Sequence, residues 1–315
     1  MIHTPICDLL GIQYPIFQGA MAWISDAKLA AAVSNAGGLG VIAAGGAPAD
    51  LVADQIKRAK DLTDKPFGVN VMLMSPNAGE VAKVVAELKP AVVTTGAGNA
   101  SAFAKMWIDA GIDWIPVVPS IAVAVKSVRN GARAVIAEGG ESGGHVGELT
   151  TMCLVPQICD AVNVPVLAAG GIGDGRGIAA AFMLGAVGVQ AGTRFLVARE
   201  CGVHQNYKNK IIKTKEIDSV VTGKRLGHPV RSLKTPFARK FLQYEYDSSI
   251  TNEQLEELGA GSLRVAAVEG DNENGSFMAG QIAGLVKKEQ SALEIITEMF
   301  AEAEKILHRA EQWVK

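Results

Sequence analysis

Aromatic residues make up only 5% of this 315-residue chain, so its core has to be built from Ala, Val, Ile and Leu. Cysteine is sparse too: Cys7, Cys153, Cys159 and Cys201 form no CxxC pair, which argues against a zinc cluster or a disulfide framework. They read as small buried hydrophobes in a reducing compartment. No stretch reaches the ~18 uninterrupted apolar residues of a membrane span. The opening "MIHTPICDLLG" lacks the basic and apolar regions of a signal peptide, so the expected location is the cytoplasm. Net charge is −2, and no global basic field speaks for nucleic acid. The dinucleotide fingerprint GxGxxG is absent, no Ser-His-Asp order stands out, and metal ligands do not cluster.

What the chain has in quantity is glycine, 35 residues, within a composition 49% hydrophobic. Short β-rich runs recur at 15–20, 39–44, 67–73, 91–96, 114–120, 134–139, 164–171 and 187–195. Between them lie segments such as "DAKLAAAVSNAGG" and "GRGIAAAFMLGA", apolar at helical spacing and ending in glycine. Strands alternating with helices imply right-handed βαβ units and a parallel sheet. Eight such units predict an α/β fold of the (β/α)8 TIM-barrel type. The rhythm stops near Cys201. The expected division is therefore a barrel of 1–200 plus 276–315, including a C-terminal helix, with 201–275 as a cap or substrate-binding segment. In the helix, "SALE" fits a capping box, and Ile295, Ile296, Met299, Ala303, Ile306, Leu307 and Ala310 form one apolar stripe for docking on the barrel wall.

In such barrels the chemistry lies at the C-terminal strand ends, with phosphate often bound after strands 7 and 8. There, "AAGGIGDGRG" and "AGTRF" place Gly170, Gly171, Gly192 and Thr193 as backbone donors for an anion. Arg194 reads equally as its counter-charge or as a structural ion-pair partner. A phosphorylated cofactor held there would lie across the mouth, with the Gly19–Met21 backbone along one face and the Asn70 amide and Glu138 beside it. That arrangement suits a flavin. The loop "AEGGESGGHVG" then offers His145 as acid/base group, because imidazole changes charge near neutral pH. His3, His204, His228 and His308 lack such a context. Between Lys208 and Lys240 stand ten Lys/Arg against only Glu216 and Asp218, a field that would steer an acidic partner or hold a phosphate.

The blocks "YPIFQGAMAW", "SNAGGLGVIAAG", "DKPFGVNVMLMSP", "VVTTGAGN", "IPVVPS", "AVIAEGGESGGHVGELTTM", "AAGGIGDGRG", "VQAGTRF" and "GSFMAGQIAGLV" run in order through nearly the whole chain. They closely resemble FabK, the FMN-dependent enoyl-acyl carrier protein reductases of bacterial fatty-acid synthesis, within a broader FMN-barrel family that includes nitronate monooxygenases. The resemblance implies FMN held by Gly19, Ala20, Met21, Asn70, Glu138, Gly170, Gly171, Gly192 and Thr193. It also implies NADH or NADPH as co-substrate, a monovalent cation as in some relatives, an enoyl-acyl carrier protein substrate, and a homodimer. His145 would be the catalytic residue, donating a proton or polarising the thioester carbonyl. The rival within the family is oxidation of alkyl nitronates with oxygen; the absence of a lysine in "WIPVVPSIAVAV" favours the reductase. A non-catalytic flavin-binding barrel is the rival from outside enzymology. One departure is Ala20, where the family pattern is glycine.

Overall fold

Small and β-branched residues fill the predicted runs, and in the computed structural model, which describes residues 2–313, each run becomes a strand. β1 (Ile16–Gln18), β2 (Gly40–Ala43), β3 (Phe67–Met72), β4 (Val92–Gly96), β5 (Asp113–Val118) and β6 (Val135–Glu138) are followed by β7 (Gly144–His145), β8 (Val166–Ala169) and β9 (Gly188–Ala191). All but β7 join one parallel sheet in the order β1-β9-β8-β6-β5-β4-β3-β2. A parallel bridge between Phe17 and Leu39, with Gln18 N–H donating to Leu39 O at 2.9 Å, closes it between β1 and β2. The fold is a (β/α)8 TIM barrel.

Helices α1 (Pro5–Leu10), α2 (Ala27–Asn35), α3 (Ala49–Leu62), α4 (Ala78–Leu88), α5 (Ser101–Asp109), α6 (Ile121–Arg129), α7 (Thr151–Ala161) and α8 (Gly175–Met183) alternate with the strands. Asp26, Ser120 and Asp174 cap α2, α6 and α8 through their side chains, satisfying amides that a helix start leaves open. The interior is filled by Phe17, Leu39, Val41, Val92, Ile136 and Leu167, and Ile6, Cys7 and Leu10 of α1 join them. Thr4 Oγ1 donates to Val187 O at 2.6 Å, so α1 seals the N-terminal end and only the C-terminal mouth is left for a ligand. Gly40 is required where α2 crosses β2: a Cβ there would sit 1.9 Å from Ala30 O.

Most runs stop short of their predicted ends, and two of them stop at a change of backbone conformation. Gly170 and Gly171 adopt φ of +84° and +74°, which stops β8 at Ala169. Thr193–Val197 winds into a 3-10 helix instead of extending β9. Beyond it come α9 (Gln205–Lys213), β10 (Ser219–Thr222), β11 (Val230–Leu233), α10 (Pro236–Tyr246), α11 (Asn252–Gly259) and α12 (Ser262–Arg264). β10, β11 and β7 form a three-stranded antiparallel sheet. Phe237, Phe241 and Leu255 make a small cluster of their own, whereas Tyr207, Ile211, Ala266 and Ala267 join the main core. The capping box at Ser291 and Glu294 starts α13 (Ala292–Arg309), which packs on α8 and α2 through Ile295, Ile296, Met299, Phe300 and Ala303. Ile306, Leu307 and Ala310 of the predicted stripe are only half-buried. The last two residues of the 276–315 range, and Met1, lie outside the described residues.

Among the described residues no helix is long and apolar enough to cross a membrane, and no group of three or more His, Cys, Asp or Glu is placed to hold a metal.

Candidate active site

The mouth is built from loops that touch one another. After β1, Gln18 is fully buried, donates to Ser25 Oγ at 2.9 Å and accepts from Val41 N–H at 3.1 Å. Ser25 Oγ in turn accepts from Met21 N–H at 2.9 Å, which fixes the Gly19–Met21 turn. A Cβ on Gly19 would come within 3.2 Å of the Gln190 side chain, and one on Gly192 would meet Met21 Sδ at 3.8 Å, so the β1 and β9 loops face each other. Ala20 has no positive φ, and its methyl packs on the barrel interior. The glycine-to-alanine departure therefore leaves the turn undisturbed. Asn70, on β3, donates from Nδ2 to Thr94 Oγ1 at 3.0 Å, leaving its carbonyl oxygen for the mouth.

At the β8 and β9 ends the backbone supplies donors. The N–H groups of Gly170, Gly171, Gly192 and Thr193 have no protein acceptor among the described residues. Four unengaged amides at neighbouring strand ends fit a phosphate. A Cβ on Gly170 would lie 2.6 Å from Gly139 O, so only glycine lets the β6 and β8 loops approach this closely. Thr193 Oγ1 accepts from Gly280 N–H at 2.9 Å, which brings the segment before α13 against the same loop. Arg194 is buried, donates to Gln290 Oε1 and senses Glu298 and Asp174; its guanidinium is pushed down from its usual range by burial first. It is a structural tie between the 3-10 helix and the approach to α13.

Glu138 ends β6, in register with Ala169. Protein surrounds its carboxyl on nearly every side although it still reaches solvent, and this desolvation raises its pKa to about 7. The neighbouring Ser142 hydroxyl offsets only part of that cost, and its oxygen falls short of a hydrogen bond. Glu141 has a different job. It accepts from Thr151 N–H (2.9 and 3.0 Å) and Oγ1 (2.9 Å), capping α7. A second anchor, which sequence reasoning missed, is Arg231 on β11: its Nε and Nη2 both donate to Gly140 O, at 3.1 and 2.9 Å.

His145 is not on bare loop. It lies on β7, paired with Val230 of β11, at the exposed rim of the mouth. Burial of part of the ring lowers its pKa, and His228 lowers it further. The strand pairing accounts for that second effect: His228 precedes β11 by two residues, and Val230 at the start of that strand pairs with His145. His228 carries no motif, and only the strand pairing reveals it.

The nitronate monooxygenase family model matches residues 3–88 and 78–302. FabK from Thermotoga maritima superposes with a TM-score of 0.97 at 49% identity, covering 100% of both chains. A probable nitronate monooxygenase of Staphylococcus saprophyticus is 34% identical over 98% of this chain and 99% of its own. A (3aS,4S,5R,7aS)-5-hydroxy-7a-methyl-1-oxo-octahydro-1H-indene-4-carboxyl-CoA dehydrogenase of Mycobacterium tuberculosis is 32% identical over 96% of each chain. The closed barrel fits the family match, which makes the chain a flavoprotein oxidoreductase of the TIM-barrel class, and the unengaged amides after β8 and β9 fit the phosphate of such a cofactor. The chain belongs to the nitronate monooxygenase family, with FMN the cofactor that membership implies, and within that family it is similar to FabK.

Proposed function

We propose that this chain reduces trans-2-enoyl thioesters of acyl carrier protein, in the cytoplasm, using NADH or NADPH as reductant. The observation that carries this reading is the end-to-end similarity to FabK at 49% identity. FMN, when bound, supplies hydride transfer in two halves, from the nicotinamide and then to the β-carbon of the enoyl group. The amides of Gly170, Gly171, Gly192 and Thr193 would hold its phosphate. Gly19, Ala20 and Met21 would present backbone to one ring face, and Asn70 and Glu138 would orient the ring edge.

The protein's own chemistry centres on His145. Partial burial and His228 favour the neutral imidazole, whose N–H would donate a hydrogen bond to the thioester carbonyl oxygen as enolate charge develops, with the α-carbon taking its proton from solvent. Glu141 and Arg231 hold the loop on which that imidazole is aimed. His145→Ala is expected to cut enoyl reduction by about 100-fold or more with FMN retained; near-normal turnover would remove the role.

The acidic carrier protein would dock on 201–275, the segment we assign as the cap. Here the structure corrects one expectation about the basic cluster. Lys208 is buried, with Nζ donating to Ala198 O at 2.7 Å, and Lys210 lies over the Phe277 ring. Arg225 is tied to the carbonyls of Glu245, Asp247 and Ile250. The exposed candidates are Lys213, Lys215, Lys224, Lys234, Arg239 and Lys240. Reversing the charge of Lys224, Arg239 and Lys240 together should weaken the carrier-protein substrate and spare the CoA analogue. Equal losses on both would discard the docking surface. A homodimer and a monovalent cation also belong to this reading.

A further inference from the structure

The turn after β1 opens on a half-enclosed cavity of about 170 Å³ that none of the roles above uses. Trp23, Ile42, Ala43, Ala47, Leu51 and Val52 give it an apolar wall. Its polar neighbours are already engaged: Asp26 Oδ1 accepts from Leu29 N–H at 2.9 Å, and Gln55 Oε1 accepts from Ala27 N–H at 2.8 Å. No lysine or arginine lines it, so it does not suit a phosphate or a carboxylate. Ser25, also in the wall, holds the Met21 amide, which puts the cavity one turn from the backbone assigned to the flavin face.

Trp23 supplies the second observation. Its backbone sits at φ +65°, a region that costs a bulky side chain energy, and its ring remains 49% exposed. The Arg264 guanidinium, paired with Glu269, lies 6.0 Å from the ring centroid. A strained, exposed tryptophan held at the lip of an apolar cavity is arranged for a ligand.

We propose that this cavity takes the apolar tail of the thioester substrate, with Trp23 as its outer wall and the limit on chain length. The inference rests on the enoyl-thioester reading. At ~30 Å³ per water-sized unit, and a methylene is close to that size, the cavity accommodates roughly five or six carbons. Each methylene buried strengthens binding about fourfold.

The test compares kcat/KM for trans-2-butenoyl-CoA and trans-2-decenoyl-CoA in the FMN-loaded enzyme and in Ala47→Phe, which fills the cavity. Binding of decanoyl-CoA, which cannot react, is measured by calorimetry. Ala47→Phe should lower decenoyl kcat/KM and decanoyl-CoA affinity about tenfold or more, the loss of two or more methylene contacts, while butenoyl turnover changes little. Trp23→Ala, which keeps the cavity open but removes the wall that limits length, should instead raise kcat/KM for decenoyl-CoA relative to butenoyl-CoA, and it decides the matter if Ala47→Phe fails to retain FMN. Equal effects on both lengths, or a raised KM for the nicotinamide with chain preference intact, would overturn the inference. Absence of butenoyl turnover in the wild-type enzyme would instead reject the enoyl-reductase reading itself.

Discussion

Glu138 and His145 share one loop, yet the protein pushes both toward their neutral forms, the carboxyl up and the imidazole down. For Glu138 the folded pKa of about 7 exceeds the ordinary glutamate value of 4.5, so its contribution to stability is fully present below pH 4.5 and is lost as pH rises through 7. Glu138→Gln should therefore stabilise the cofactor-free protein at pH 8 by about 1–2 kcal/mol, after discounting for residual solvent contact, and by little at pH 4. Urea titrations at the two pH values check this; an identical change at both contradicts it. His228→Gln should raise the pKa of His145, since a like charge is removed; imidazole NMR titration reads the shift directly. The sequence singles out Glu138 and His145 as candidates because few titratable groups stand among so many glycines. It does not single out His228, whose relation to His145 exists only through the pairing of residues some eighty apart.

At the scale of elements, the loop from Gly139 to Gly147 is held from two sides. Glu141 caps α7 below it, and Arg231 grips Gly140 from β11. Glu141→Ala should cost about 1–2 kcal/mol through the lost cap, measurable by denaturant unfolding. An unchanged midpoint would mean that water replaces the carboxylate. The three-residue spacing of Glu138 and Glu141 on a glycine loop carries no geometry, and the hydrogen bonds assign Glu141 to the helix. β7 was invisible for a related reason: a two-residue strand has no period to read, and its partner is supplied by a distant hairpin. The "AGTRF" run misled in the opposite direction. Thr193 and Phe195 favour strands, yet the chain turns into a 3-10 helix so that Thr193 can accept from Gly280 and Arg194 can reach Gln290.

For the molecule as a whole, the barrel was readable because parallel strands buried on both faces leave continuous apolar runs, and eight of them in succession leave few alternatives. The placement of the site followed from the fold, since chemistry in this architecture gathers at one end. The reaction is a property of the complete mouth and of what enters it, not of the His145 loop alone. The decisive measurement is anaerobic NADH or NADPH oxidation by the FMN-loaded protein on adding trans-2-butenoyl-CoA, set beside oxygen uptake on adding an alkyl nitronate. The account predicts nicotinamide oxidation matched by saturated thioester formed, with little nitronate-driven oxygen uptake. Rapid oxygen uptake with the nitronate and no thioester reduction would contradict it.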